Sequence, residues 1–293
     1  MVGYVGRFAP SPTGPLHFGS LITAVASFAD ARAHSGAWLV RVEDLDPSRT
    51  VAHAASAILR ILEEHALEWD GPALHQNTRD ERYRETLSDL QRGGDIFFCT
   101  CSRKDVETFS VYPGTCRGRR APPPRPHAVR IQVSDATFAF DDRIQGAFRQ
   151  NLARDVGDFV IRRRDGPFAY QLAVVVDDID QRVTHIVRGA DLLDNTPRQL
   201  LLYERLGARV PTFAHIPVAR ERTGQKLSKH SSAAPLDRRT ASANLHAALT
   251  LLGQSPPDEL VHEPPHTVIA WAIAHWRIDR VPGIPALSDF VCI

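Results

Sequence analysis

The stretch GRFAPSPTGPLHFGS, residues 6–20, decides the fold prediction. Its prolines and glycines separate a short apolar segment from an apolar repeat at helical spacing that begins at Leu16. Such a turn between a strand and a helix places backbone N–H groups and the positive helix end at one edge of a parallel sheet. The stretch therefore predicts a phosphate or nucleotide site, with His17, Gly19 and Ser20 at the helix start. A structural turn with a capping histidine is the alternative.

The alternation of strands and helices continues along the chain. WLVRVED (residues 38–44) predicts a buried strand, and residues 50–66 predict a helix. Further strands are predicted over residues 128–140 and 158–175, and residues 185–207 predict the end of a strand followed by a helix. This order is typical of an α/β protein with a parallel sheet. Two more helices, over residues 241–252 and 266–276, precede a tail that we expect to be irregular.

Composition and charge limit the possible partners. The 293 residues carry a formal net charge of +1, so any nucleic-acid surface must be a local patch. Two groups of arginines are candidates for such a patch, although solvated surface is as good an explanation for each: Arg117, Arg119, Arg120 and Arg125, and Arg162, Arg163 and Arg164. The sequence has no secretory pattern at its start and no apolar stretch of membrane-spanning length, which predicts a cytoplasmic protein. Nothing in the sequence requires more than a monomer.

A second candidate site lies in the basic sequence KLSKH, residues 226–230, which follows Gly224. Lys226 and Lys229 are three residues apart on a glycine-containing loop. Two such lysines can close over a triphosphate and neutralise charge as pyrophosphate leaves. A solvated surface loop is the alternative interpretation of this stretch.

Together these motifs resemble a known family. PSPTGPLHFGS resembles the HIGH signature of class I aminoacyl-tRNA synthetases, and KLSKH resembles their KMSKS signature. GRFAPSPTGPLHFGS and RVEDLDPSR are similar to the glutamate-specific branch, and the resemblance runs from residue 5 to about residue 237. It departs from the signatures at Ser20, where HIGH has its second histidine, and at His230, where KMSKS has its last serine.

The resemblance implies a Rossmann-like, doubly wound catalytic domain that makes an aminoacyl-adenylate from ATP, with Mg²⁺ accompanying the nucleotide. It implies that the ATP-binding residues are His17, Gly19, Ser20 and Lys229, and that the catalytic residues are His17, Lys226 and Lys229.

A glutamate pocket needs an acid for the ammonium group and arginine for a carboxylate. Arg41 and Glu43 are two residues apart on a predicted strand, so they share a face. From the residues alone, Tyr170 also fits a core aromatic and Arg188 a structural ion pair with Asp191. The glutaminyl branch is expected to have an acid where this sequence has Ser11, which favours glutamate. The resemblance implies a glutamate pocket formed by Arg7, Phe8, Ala9, Pro10, Ser11, Glu43, Tyr170 and Arg188.

Three of the four cysteines, Cys99, Cys101 and Cys116, lie close together in the sequence. In a reducing compartment this spacing predicts a metal site before a disulfide, and three thiolates supply most of a tetrahedral zinc shell. Ligand chemistry favours His127 as the fourth ligand, whereas the family resemblance implies Tyr112, in a CxC…YxxxC arrangement. Buried cysteines without a metal are the alternative. We expect the zinc to clamp an insertion, and Cys292 to be an incidental thiol.

The segment after the KLSKH motif is short, and we expect it to contain helices but no anticodon-binding domain. We therefore predict four parts: the first half of the catalytic domain (1–98), a zinc-binding part of the insertion (99–130), the rest of the insertion with the second half of the catalytic domain (131–237), and a helical C-terminal region (238–293).

With the cysteine cluster, this layout resembles the glutamyl-queuosine tRNA(Asp) synthetases. That resemblance implies tRNA-independent activation of L-glutamate and its transfer to the queuosine base in the anticodon of tRNA(Asp), so that the partners are ATP, glutamate and the anticodon stem-loop. Three alternatives stay open: a truncated glutamyl-tRNA synthetase that charges tRNA(Glu), a non-catalytic paralogue that binds ATP or RNA, and another nucleotidyltransferase with a HIGH-type helix start.

Overall fold

The computed structural model of the chain describes residues 3–221, 236–284 and 286–290. Its first part contains three parallel strands and two crossover helices: β1 (Val5–Phe8), α1 (Phe18–Ala33), β2 (Ala37–Val42), α2 (Ala54–Glu64) and β3 (Leu74–His75). Helix α1 contains five alanines and several larger apolar residues, and it is buried along most of its length. The strand–helix–strand–helix order predicted for this part is confirmed.

A second parallel pair completes the α/β core. Strand β9 (His185–Gly189) pairs with β10 (Thr212–Ile216). Just before β9, the backbone N–H of Thr184 donates to the carbonyl of Val5 at 2.9 Å, so β9 lies beside β1. Strand β1 thus pairs with β2 and lies beside β9, so two groups of parallel strands, β1–β2–β3 and β9–β10, meet at β1. In open parallel sheets, ligands bind outside the carboxyl ends of the strands at the switch point, where the strand order reverses.

Between β3 and β9 the chain forms an insertion. Strands β4, β5 and β8 form an antiparallel sheet, and β6 and β7 form a hairpin. The elements are α3 (Asp80–Arg92), β4 (Ile96–Cys99), β5 (Ala128–Ile131), β6 (Thr137–Asp142), β7 (Gly146–Asn151), α4 (Leu152–Asp155), β8 (Val160–Arg162) and α5 (Tyr170–Asp180). After β9, a 3₁₀ segment (Ala190–Asn195) leads into α6 (Thr196–Arg205).

The predicted strand over residues 158–175 is wrong in its second half, where the structure has helix α5. The run LAVVV is rich in β-branched residues, which favour strands. Every residue from Leu172 to Asp178 is buried, so this helix is surrounded by protein and shows no polar face. Hydrophobic periodicity does not separate a fully buried helix from a buried strand.

The C-terminal region packs on the first helix. Residues of α7 (Ala241–Leu251) and α8 (Pro265–His275) join α1, β1 and β2 in one hydrophobic core, while a second core surrounds α3, α5 and α6. Both predicted C-terminal helices are confirmed. The tail that we expected to be irregular forms strand β12 (Ala286–Phe290), parallel to β11 (Val218–Glu221). Within the described residues, no helix is long and apolar enough to cross a membrane.

Two buried carboxylates connect distant parts of the chain. Asp30, in α1, accepts hydrogen bonds from Tyr4, from Arg143 at 2.5 Å and from the indole of Trp276 at 3.0 Å. Asp142, at the end of β6, accepts from the imidazole of His215 in β10 at 2.6 Å. The insertion hairpin is thereby held against the parallel sheet.

Candidate active site

A cavity of about 720 Å³ opens at the carboxyl ends of β1 and β9. All the predicted glutamate and ATP residues in the described part of the chain line it: Arg7, Phe8, Ala9, Pro10, Ser11, His17, Gly19, Ser20, Glu43, Tyr170 and Arg188. Lys226, Lys229 and His230 lie outside the described residues. The structure thus brings together side chains from the first third and the middle third of the chain.

His17 caps the N-terminus of α1. Its Nδ1 accepts a hydrogen bond from the backbone N–H of Ser20 at 3.1 Å, and its Nε2 lies 3.0 Å from the Ser20 hydroxyl. Burial lowers the pKa of the imidazole, so it is neutral at neutral pH. A Cβ at Gly19 would lie 3.2 Å from Nδ1 of this ring, which is closer than an ordinary van der Waals contact. The absence of a side chain at Gly19 therefore leaves room for the imidazole. The capping alternative therefore describes His17 correctly, and the same ring also lines the cavity.

A buried carboxylate organises the two arginines on the β1 and β2 strands. Asp178, from α5, accepts from Arg41 at 2.7 Å and from Arg7 at 3.3 Å. Burial alone would raise the pKa of Asp178, but Arg41 and Arg7 lower it overall, so it stays charged. The positive charge of these two guanidinium groups is thus partly compensated inside the protein.

Glu43 offers a negative charge to the cavity. One of its carboxylate oxygens lies 3.7 Å from Arg41, too far for a hydrogen bond, and this buried oxygen has no hydrogen-bond partner among the described residues. Burial raises the pKa of Glu43 to about 7, against the opposing effect of Arg41. A buried acceptor that faces a cavity without a partner suits a ligand with N–H donors and a positive charge.

Arg188, in β9, has a different environment. Its guanidinium donates to His215 at 2.9 Å, to Gln199 at 2.8 Å and to Thr196 at 2.8 Å. The central carbon of the guanidinium, Cζ, lies 5.3 Å from the centre of the Phe213 ring. Tyr170 stands at the start of α5, and burial raises the pKa of its hydroxyl. Both residues line the cavity, and Tyr170 also packs against the second core.

Several residues around the site were missed from the sequence. Asp178 follows the segment 158–175 that we interpreted as a strand, and the partners of Arg188 come from α6 and β10. Asp46 and Arg163, which form an ion pair at 2.5 Å, also line the cavity. The sequence VVVDD carried a usable signal, because two adjacent acids in an apolar run are rarely buried without cationic partners.

The three clustered cysteines come together in the fold. Their sulfur atoms all lie within 4.8 Å of one another. The Tyr112 hydroxyl lies 3.4 Å from the sulfur of Cys99 and 3.8 Å from that of Cys101. His127 instead has its Nδ1 2.9 Å from the carbonyl of Arg125 and its ring against Phe98. The donor set suits a thiophilic metal ion such as Zn²⁺.

The first predicted group of basic residues makes hydrogen bonds and an ion pair within the protein. Arg117 pairs with Asp158 at 2.6 Å, Arg119 and Arg120 donate to backbone carbonyls, and Arg125 donates to Thr100. Arg117, Arg119 and Arg120 thus connect residues 100–127, which we call the cysteine loop, to the insertion sheet, whereas the bond of Arg125 lies within the loop.

Comparison with known proteins identifies the class. The family model described as tRNA synthetases class I (E and Q), catalytic domain, matches residues 4–110 and 117–252. The chain belongs to this family, as the two signatures in its sequence predict.

Relatives place the chain within the class. A glutamyl-Q tRNA(Asp) synthetase from Methylococcus capsulatus is 52% identical over 95% of this chain and 93% of its own length. One from Pseudomonas aeruginosa is 50% identical over 98% of both chains. The chain is therefore a member of the glutamyl-Q tRNA(Asp) synthetase group.

Solved structures are similar in fold. A glutamate tRNA ligase from Elizabethkingia meningosepticum matches with a TM-score of 0.80 and 24% identity, over 97% of this chain and 66% of that chain. A glutamate-tRNA synthetase from Elizabethkingia anophelis matches with a TM-score of 0.81 and 24% identity, over 97% of this chain and 68% of that one. This chain spans about two thirds of each.

Proposed function

We propose that this protein activates L-glutamate with ATP, without tRNA, and transfers the glutamate to the queuosine base in the anticodon of tRNA(Asp). The relatives that share half of its sequence carry the matching name. The observation that carries the proposal is the cavity that joins Glu43 and Arg188 to the helix start at His17. One site thus offers a carboxylate, a guanidinium and a phosphate-binding turn.

Each group of glutamate has a complementary residue in this cavity. Glu43 accepts the ammonium group, and Arg7 and Arg188 provide guanidinium groups for the carboxylates. The backbone at the start of α1 faces the phosphates of ATP. An oxygen of the α-carboxylate attacks the α-phosphorus, a new P–O bond forms, and pyrophosphate leaves. Positioning and charge neutralisation supply most of the rate, with Lys226 and Lys229 as the neutralising cations and Mg²⁺ accompanying ATP.

In the second step a hydroxyl of the queuosine cyclopentene diol attacks the carbonyl of the adenylate. An ester bond forms, the mixed anhydride bond breaks, and AMP leaves. The nucleophile is a hydroxyl, as it would be at the 3′ end of a tRNA, so one adenylate serves either acceptor.

The cysteine cluster is proposed to hold one structural Zn²⁺ with Cys99, Cys101, Tyr112 and Cys116 as ligands. Cys99 is paired with Ala128 across β4 and β5, so residues 100–127 form a long connection whose two ends lie side by side. A metal ion would cross-link this segment, and its binding free energy would stabilise the folded state. All four donors come from the protein, which favours a structural role.

The remaining predictions concern organisation. We propose that the parallel strands form one Rossmann-like, doubly wound sheet with ATP at the β1–β9 switch point. Four further points stay predictions: the division of the chain at residues 98, 130 and 237, the recognition of the anticodon stem-loop, the monomeric state and the cytoplasmic location.

The decisive experiment is ATP–pyrophosphate exchange with purified protein and glutamate, glutamine or aspartate, with and without tRNA. We expect exchange with glutamate alone and without tRNA. Radiolabelled glutamate should then transfer to tRNA(Asp) that contains queuosine and not to the same tRNA without it. Exchange that requires tRNA(Glu) would support the truncated synthetase instead, and no exchange under any condition would support the non-catalytic paralogue.

A further inference from the structure

The arginines of the cavity differ in what compensates their charge. Arg7 and Arg41 share the carboxylate of Asp178. Arg188 is equally buried, at 3% exposure, but its three hydrogen-bond partners are a hydroxyl, an amide and an imidazole. No salt bridge joins Arg188 to a carboxylate within the described residues. A buried cation with neutral partners is costly unless an anion joins it.

Thr196, Gln199 and His215 form what we call the neutral collar of Arg188. All three are almost completely buried, at 0%, 1% and 0% exposure. A guanidinium group has five N–H donors in a rigid plane. Within the described residues, each of the three guanidinium nitrogens of Arg188 donates one hydrogen bond to the collar. Three of the five N–H groups are thus used, and two remain. Two N–H groups are what one carboxylate requires for bidentate binding.

The collar itself is fixed from outside. Nδ1 of His215 donates to Asp142 at 2.6 Å, which leaves Nε2 as the acceptor for Arg188. Asp142 also accepts from the backbone N–H of His215 at 3.0 Å. On the other side, the amide of Gln199 donates to Gln171 at 3.2 Å. The orientation of each collar acceptor toward Arg188 is therefore set by a further hydrogen bond or by complete burial.

We infer that Thr196, Gln199 and His215 are the positioning residues of Arg188, and that their neutrality makes the cavity selective for a substrate carboxylate. This inference rests on the proposed function and adds the determinant of selectivity to it. The collar aims the guanidinium into the cavity without neutralising it. Substrate binding then brings the first anion into direct contact with Arg188. A neutral amide in place of that carboxylate would leave the buried charge uncompensated.

Gln199→Glu tests this inference with an almost isosteric change. It places a carboxylate 2.8 Å from Arg188, where the amide oxygen now lies. We expect the KM for glutamate in ATP–pyrophosphate exchange to rise at least tenfold, while the KM for ATP changes less than twofold. We also expect the ratio of glutamine to glutamate use to increase. An unchanged KM for glutamate in a folded variant would overturn the inference.

Gln132→Glu is the matched control. The amide oxygen of Gln132 also accepts from an arginine, Arg120, at 2.9 Å, but neither residue lines the cavity. The same chemical change is thus made beside another guanidinium, and we expect both KM values to stay as in the wild type. If Gln132→Glu raises the KM for glutamate as much as Gln199→Glu does, added charge and not the collar is responsible, and the inference fails.

A second pair of variants covers the case in which Gln199→Glu does not fold. Thr196→Val removes the hydroxyl that accepts from Arg188, and Thr196→Ser keeps it. We expect Thr196→Val to raise the KM for glutamate at least fivefold and Thr196→Ser to restore it to within twofold of wild type. Equal KM values for the two variants would contradict the inference. Failure of the wild type to exchange with glutamate would instead contradict the proposed function.

Discussion

At Glu43, burial and the neighbouring guanidinium groups act in opposite directions. Burial is the larger effect, and it raises the pKa to about 7. The carboxylate is charged above this pH and protonated below it, so the negative charge that would hold the substrate ammonium is lost as the pH falls. We expect the KM for glutamate to increase below pH 7, approaching tenfold per pH unit, in exchange assays between pH 5.5 and 7.5.

Glu43→Gln provides the control for this pH dependence. The amide keeps the shape of the side chain and has no charge to lose, so its KM for glutamate should be high and nearly independent of pH in this range. A wild-type KM that stays constant from pH 7.5 to pH 5.5 would show that Glu43 does not hold the ammonium group.

The lysines of KLSKH lead to a different kinetic prediction. Their proposed contact is with phosphate oxygens as charge develops on pyrophosphate, a contact that matters most in the transition state. Lys229→Ala should therefore lower the rate of adenylate formation by on the order of 10²-fold, which is the effect expected when one charged contact to the transition state is lost. Glutamate affinity, measured by equilibrium binding, should change little. Equal activation rates in wild type and variant would exclude this role.

The sequence predicted the residues that line the cavity better than those that hold them in place. Arg7, Glu43 and Arg188 were predicted because their chemistry matches that of glutamate and their motifs match a family. Thr196, Gln199 and His215 are common polar residues on two separate elements. Only folding brings them to one guanidinium, and no local pattern marks a side chain for its contact with a distant one.

At the scale of elements, the predictions succeeded where periodicity and breakers agreed. Helix α1 and strands β1 and β2 follow the predicted order, with the Pro/Gly turn and Gly36 between them. Helix α5 was assigned wrongly because burial on all sides removes the polar face on which helical periodicity depends. The pairing of β4, β5 and β8 was also beyond the sequence, because it joins segments separated by the cysteine loop.

The cysteine loop gives a prediction at this scale. Cys116→Ser should reduce the zinc content, measured by mass spectrometry of the purified protein, and lower the thermal midpoint. Tyr112→Phe should weaken zinc retention against a chelator, because it removes the proposed fourth donor. His127→Ala should change neither property, since the Nδ1 of His127 lies beside a backbone carbonyl. A wild-type protein without zinc and with freely titrating thiols would rule out the metal site.

At the scale of the whole molecule, Asp30 joins four parts of the chain. It lies in α1 and accepts from Tyr4 before β1, from Arg143 in the hairpin and from Trp276 after α8. Asp30→Asn would leave Arg143 without its anion, at a cost of roughly 3 kcal/mol in the free energy of unfolding. Urea denaturation should show this loss, while the KM for glutamate at low temperature stays as in the wild type.

Asp279→Asn is the comparison for this prediction. Asp279 pairs with Arg277 at 2.8 Å, but both side chains are exposed, and we expect no measurable loss of stability. Similar denaturation midpoints for Asp30→Asn and the wild type would mean that Asp30 does not hold these parts together.

The bond from Asp142 to His215 also limits how the molecule can be recombined. Asp142 belongs to the insertion, and His215 belongs to the parallel sheet that carries Arg188. In a chimaera whose grafted insertion has no acceptor at the position of Asp142, nothing would fix the tautomer of His215 that accepts from Arg188. A functional graft would therefore have to keep an acceptor for the Nδ1 of His215.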